Sequence, residues 1–232
     1  MGVNIHLIKD EKLDNCDLVL ALPGVGLVGS VTGLLLTRIM DFEVIGFITS
    51  DEFAPLAPVH KGKVVPPVRL LYSKSKRLLL LLSEIVVPFS VANEFAHLLL
   101  SFVKEKGVGR VVLLGAMPLK GKERRVFVFG DVPLILKRAQ GVELLKEGAT
   151  TGVGGVLLAL LSVNRVPHFA MLSEAFSSST DVRAAFNLLT HLNRVLELNV
   201  DLSKVWNELK QSGELEREIE VMKADDSSSM YG

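Results

Sequence analysis

Cysteine is nearly absent from this sequence: Cys16 is the only one, so no disulfide can form within the chain and a reducing interior suits it. Charge of either sign is missing in surplus. The 26 basic and 26 acidic side chains cancel to a formal +0, which speaks against a general nucleic-acid binder, since that class carries a basic stripe or excess. Glutamine occurs only at Gln140 and Gln211, and the scarcity of Gln and Cys fits a heat-adapted source. An unbroken apolar run long enough for a membrane is also lacking. Leu18 to Thr37 holds no charge across 20 residues, but Pro23, Gly24, Gly26, Gly29 and Gly33 interrupt it. The opening "MGVNIHLIKDEK" is too polar for a secretory signal, so the expectation is a soluble, cytoplasmic protein with no membrane partner.

Apolar residues are plentiful, at 49%, enough for a sizeable core and too many for a disordered chain. They fall in alternating short and long segments. "DLVLALP" (17–23) predicts a strand, then a glycine-rich turn and a helix over about 26–40, and "FEVIGFIT" (42–49) a second strand. Residues 51–68 hold too many prolines for a helix and predict a loop with edge-strand pieces. Two apolar runs around "SKSK" predict a hairpin, and 90–107 an amphipathic helix that stops at Gly107. Further strands are expected at 109–117, 125–130 and "VPHFAMLSEA", with a threonine-capped helix at 150–164. A longer helix at 179–198 is capped by Thr180 or Asp181. Uniformly apolar strands alternating with helices indicate an α/β protein, a three-layer α/β/α sandwich on a mostly parallel sheet. Residues 1–200 form this core. Residues 201–223 add two short helices, with stripes at Leu202, Val205, Trp206 and Leu209 and at Leu215, Ile219 and Met222. A polar tail, 224–232, follows.

"GVGLVG" places Gly24, Gly26 and Gly29 in the G-x-G-x-x-G spacing between strand and helix, with Asp51 near the end of the next strand. A dinucleotide site needs that context: helix-start amides for a pyrophosphate and a carboxylate for the ribose. The competing explanation is packing, in which glycines allow a sharp turn and close helix approach. Pro23 and the apolar Val25, Leu27 and Val28 favour packing, leaving a nucleotide- or dinucleotide-dependent enzyme as the alternative. The five histidines show no metal-ligand spacing and no nucleophile elbow or phosphate loop is present, so no catalytic residue, metal or cofactor is expected. Glu84, Glu94 and Glu174 sit where acids are either catalytic or cap helices. Ser90 is expected to cap the 90–107 helix, with Asn93 and Glu94 in its first turn.

Four stretches resemble the proteasome assembly chaperone two family, particularly its archaeal members. They are "LALPGVGLVGSVTGLLL", "GRVVLLGAMPLKGKERRVFVFG", "GATTGVGGVLLALL" and "VPHFAMLSEAFSSSTDVRAAFNLLTHLNRVLELNVDLSKV", spanning roughly 15–210. The chain departs from the family at Ser179, Thr180, Asp181 and Val182, where the family often has prolines around the aspartate. The resemblance implies a nucleoside-phosphorylase-like fold without established catalysis. It also implies self-assembly, with tetramer and pentamer both open, and proteasome α-subunits or the 20S core particle as partner.

Some archaeal members of that family look equipped to dock on the α-ring through a terminal hydrophobic-Tyr-X (HbYX) motif. Met230, Tyr231 and Gly232 fit that pattern, and with tyrosine this rare the chance coincidence is on the order of half a percent. By the resemblance, the terminal carboxylate would pair with a lysine in a pocket between subunits. Tyr231 would supply rigid area and a hydroxyl, and Met230 would fill an adaptable apolar niche. A third possibility is a scaffold whose tail is occluded within its own oligomer.

Overall fold

The structure of the protein, a computed structural model, describes residues 2–120, 123–132, 140–177 and 179–211. In chain order the strands are β1 (Val3–Leu7), β2 (Asp17–Ala21), β3 (Glu43–Ser50), β4 (Val59–His60), β5 (Lys63–Val64), β6 (Val68–Ser73) and β7 (Leu78–Ser83). After them come β8 (Arg110–Pro118), β9 (Val126–Gly130), β10 (Val142–Leu144) and β11 (His168–Ala175). The helices are α1 (Val28–Ile39), α2 (Phe89–Glu105), α3 (Gly152–Val163), α4 (Val182–Val195) and α5 (Ser203–Gln211).

Nine strands form one sheet in the order β1-β3-β6-β7-β2-β8-β11-β9-β10, while β4 and β5 pair only with each other. The central block β7-β2-β8-β11 is parallel throughout. The flanks β6, β3 and β1 on one side and β9 on the other run antiparallel to their inner neighbours. Burial on both faces explains the uniformly apolar strands, because each side of a residue pair meets a helix layer. Within β2, Val19 and Ala21 join the core under α1, α4 and α5, while Leu18 and Leu20 join the one under α2 and α3. The five leucines of β7 divide the same way, and all are fully buried. At about 2 kcal/mol for each leucine removed from water, this strand alone is a large part of the driving force. The result is the expected α/β/α sandwich.

Most segments match their sequence signals, and the mismatches have local causes. α2 begins at Phe89 with Pro88 as its cap, not Ser90, because proline's fixed φ already starts the turn. Ser90 instead bonds Glu52, and Glu94 leaves the helix start to accept the Val3 amide at 2.9 Å. Thr151 precedes α3 as expected but makes no side-chain capping bond. At α4 the cap is Asp181, which accepts from the Ala184 amide. β1 and β10 are additional strands at the two sheet edges, short and half-polar, so neither shows the apolar run that marks a buried strand. The first C-terminal stripe packs as α5, with Val205 and Leu209 buried and Trp206 against Phe186 at 4.7 Å. The expected second stripe at Leu215, Ile219 and Met222 lies outside the described residues, as does the tail. Among the described residues no helix is long and apolar enough to cross a membrane.

Candidate functional site at the carboxyl edge of the sheet

The glycine loop leaves β2 at the carboxyl edge of the parallel block and enters α1 through one 3-10 turn, Val25–Leu27. Close approach of the main chain fixes two of its three glycines. Gly29 lies against the chain of its own strand and of β8: a methyl group there would sit 2.4 Å from the Leu22 carbonyl oxygen and 2.8 Å from that of Leu114. Gly26 adopts φ +56°, where a side chain is strained, and the same methyl would meet the Phe176 carbonyl oxygen at 2.7 Å. Gly24 is extended and has open space around it. The space beside Gly26 is thus filled by Ala175, Phe176 and Asp181, and the Asp181 amide donates to the Gly26 carbonyl at 2.9 Å. Asp51 is exposed beyond β3, and β7 and β6 stand between β3 and β2. Three strand spacings of ~4.8 Å separate the carboxylate's strand from the glycine loop. The structure does not bring Asp51 together with Gly24, Gly26 and Gly29, and close packing accounts for Gly26 and Gly29.

What the edge does bring together is the set of stretches on which the family resemblance rests. Arg124 and Arg125, just before β9, each meet a buried acid from the chain around the end of β11. Arg124 donates through Nε to both oxygens of Asp181 at 2.9 and 2.8 Å, and its guanidinium lies over the Phe176 ring at 4.9 Å. Asp181 is fully buried and also accepts from the Phe176 and Ala184 amides, so one carboxylate ties the chain before β9, the residue after β11 and the start of α4 together. Arg125 forms a two-pronged pair with Glu174, at 3.0 and 2.9 Å, and reaches Glu143 at 3.7 Å. Hydrogen bonding from Arg125 holds the Glu174 carboxyl below its ordinary range, against the opposing effect of burial. Glu174 is therefore an ion-pair partner and not a helix cap. The same holds for Glu84, which binds Arg69 at 2.6 Å and His60 at 2.8 Å. Sequence reasoning missed both arginines. The available signal was the adjacent pair opening an apolar strand, with acids in "SEA" and "TDV" to receive them.

Beside this knot lies a cavity of about 510 Å³, at the carboxyl ends of β2 and β8 and the starts of α2 and α3. Chain leaving β2 crosses toward β3 while chain leaving β8 goes toward β9 and β11, on the other side of the sheet. Such a reversal opens a crevice in open α/β sheets. The lining is mainly apolar (Pro23, Val25, Val87, Phe89, Met117), with Glu147, Thr150 and Thr151 as its polar members. Among the described residues no group of three or more His, Cys, Asp and Glu side chains is placed to hold a metal ion. Burial, with the Asp17 charge adding, pushes the Cys16 thiol up to about 11, so it is no nucleophile. Met230, Tyr231 and Gly232 lie outside the described residues.

The architecture that emerges is a three-layer α/β/α sandwich whose motif-bearing loops gather at the carboxyl edge of its parallel block. The chain belongs to the PAC2 family, whose profile matches residues 18–222. An uncharacterized protein of Methanocaldococcus jannaschii is 28% identical over 213 residues, covering 91% of this chain and 87% of the relative. Among solved structures, the chain is similar to Pyrococcus furiosus PbaA, described as an archaeal homolog of proteasome-assembly chaperone. The TM-score is 0.82 at 26% identity, over 99% of this chain and 96% of PbaA. Pyrococcus furiosus PbaB, described as an archaeal proteasome activator, shares the fold with a TM-score of 0.78 at 21% identity, over 94% of this chain and 99% of PbaB.

Proposed function

We propose that this protein is a cytoplasmic, non-enzymatic proteasome assembly chaperone or adaptor. It forms a homo-oligomer and docks on the proteasome α-ring through Met230, Tyr231 and Gly232. The observation that carries the reading is the likeness to PbaA across nearly the whole chain, joined to membership of the PAC2 family. The glycine loop closed by packing supports it by removing the main alternative, a dinucleotide enzyme.

In this reading the body sets the number and spacing of tails, and the tail makes the contact. Three residues bury little surface, and ordering their tether costs entropy, so one tail binds weakly. Several tails presented together gain about 10²–10⁴ in affinity where the tethers span the sites. "DSSS" at 226–229 supplies that reach. Binding to archaeal 20S core or to isolated α-rings tests the proposal by comparing the intact chain, Tyr231→Ala and a chain lacking 230–232. The two variants are expected to lose binding, and so is a chain extended by one residue after Gly232, because the carboxylate moves. Equal binding by all four proteins refutes the tail mechanism.

A further inference from the structure

The segment between β3 and β6 leaves the body and returns to it as the isolated hairpin β4–β5, turned by Lys61 and Gly62, both at positive φ as a two-residue hairpin turn requires. None of residues 51–67 is buried. The two valines of the hairpin, Val59 and Val64, are 62% and 71% exposed, so apolar packing does not hold it to the body. A two-stranded hairpin is marginal by itself, and this one needs an attachment. Both ends of the segment are fixed. At one, Phe53 packs on Phe95 with 6.2 Å between ring centroids, and Glu52 accepts from Ser90. At the other, Arg69 donates to the Pro66 carbonyl at 2.7 Å and the Glu84 amide to the Pro67 carbonyl at 2.9 Å. Between those ends, residues 54–65 make one hydrogen-bonded contact with the rest of the chain among the described residues. His60 Nε2 lies 2.8 and 3.0 Å from the two oxygens of Glu84. An ionised carboxylate only accepts, so Nε2 carries the proton in that contact.

We infer that residues 54–65 form a strap that opens and closes on a fixed base, with the His60–Glu84 bond as its latch. Glu84 suits that part because it stays with the body. It follows β7, and its Oε1 is held at 2.6 Å by Arg69, whose side chain is 5% exposed. Glu84 therefore keeps a charged partner whether or not His60 is in place, and release leaves no buried charge unpaired. The His60 side chain is 39% exposed, so water can replace Glu84 as its partner. A closed state that depends on one such bond stands only a little below the open one, which is the condition for local opening far short of global unfolding. Pro55 and Pro58 limit the entropy gained on opening and so favour the closed state. Val86 and Val87, next along the chain from the latch, line the 510 Å³ cavity. The inference needs neither the oligomer nor the tail of the proposed function.

Limited trypsin digestion of the full chain tests the latch, because cleavage after Lys61 or Lys63 needs the hairpin to open. Mass spectrometry reads the cleavage rate at these two sites for wild type, His60→Ala and His60→Gln, and calorimetry reads the melting of each. Glutamine places an amide N–H close to where His60 holds Nε2, so it keeps the donor. Wild type is expected to be cleaved more slowly than a synthetic peptide of residues 51–67. His60→Ala should be cleaved faster than wild type on the order of 10-fold, and His60→Gln within about 3-fold of wild type. Both variants should melt within about 2 °C of wild type, since His60 lies outside the core. Equal cleavage of wild type and His60→Ala overturns the latch, and so does equal acceleration by both variants. Wild type cleaved as fast as the peptide overturns the closed strap. A large fall in the melting temperature of His60→Ala overturns the inference as well, because the bond would then belong to the cooperative fold and not to a local opening.

Discussion

Replacing Gly29 by alanine separates a glycine kept for packing from one kept for a phosphate. The added methyl group would lie 2.4 Å and 2.8 Å from two carbonyl oxygens, those of Leu22 and Leu114, and both belong to main chain that the sheet holds in place. No rotamer relieves the clash, so α1 must lift from the ends of β2 and β8. Overpacking of this kind costs about 1–3 kcal/mol, and alanine's better helix propensity returns about 1 kcal/mol. Contact with main chain on two sides places the cost at or above the upper end, for a net loss of roughly 2 kcal/mol. In a chain of this size that lowers Tm by about 4–8 °C. Gly24→Ala is the control, since Gly24 is extended with nothing within 4 Å of the new methyl. It should melt within about 1 °C of wild type, as neutral surface changes do. Differential scanning calorimetry reads both. If Gly29→Ala melts like wild type, or Gly24→Ala falls as far, the packing account is wrong and the glycine spacing needs a ligand to explain it.

Other expectations follow from the paired acids and from the last helix. Arg125→Met should destabilise the protein at pH 7, because it leaves the Glu174 carboxylate, 1% exposed, without its charged partner. The deficit should shrink on acidification. Glu174 has a folded-state pKa held below its ordinary 4.5, so in wild type its contribution is complete above that value and is lost as pH falls toward the folded pKa. Urea melts at pH 7 and pH 4 check this, and an equal deficit at both would sink the assignment. Asp181→Asn keeps an acceptor for the Ala184 amide while removing the charge that Arg124 meets, so it should be milder than Asp181→Ala, which also loses the cap, worth about 1 kcal/mol. Leu209→Ala should destabilise by about 2–3 kcal/mol and red-shift the emission of Trp206, the chain's single tryptophan, if α5 is docked as described.

The fold was legible wherever burial alone decides the residue. β7 could be placed because every position in it is excluded from water, and α2 because its buried residues recur at the helical period on one face. β1 and β10 were not, since an edge strand is stabilised by pairing on one side and its side chains answer to solvent. The site was harder for a related reason. Asp181 was readable as a helix cap from its own neighbours, but Arg124 lies 57 positions away in the chain, and only the antiparallel pairing of β9 with β11 brings the two together. "GVGLVG" offered a cofactor site by local spacing, and what argues against it is non-local: Phe176 and Asp181 against Gly26, and two strands between β2 and β3. Local signals predict what a residue can do. Topology decides which partner it meets.

That distinction explains how an α/β/α frame with a crevice at its strand ends can serve as a platform for contacts between proteins. The polar groups that an enzyme would aim into the crevice, Arg124, Arg125, Glu174 and Asp181, are here directed at one another and hold the surrounding loops in fixed positions. The crevice beside them is lined mainly by apolar residues, and apolar surface of that kind gains free energy when a partner covers it. Under the proposed function, the terminal motif binds weakly one copy at a time and gains from a body that sets the number and spacing of its copies. If the proposed homo-oligomer sets that spacing, conditions that dissociate it should weaken core-particle binding even with the tail intact. Removing the tail should abolish binding without changing the mass of the oligomer.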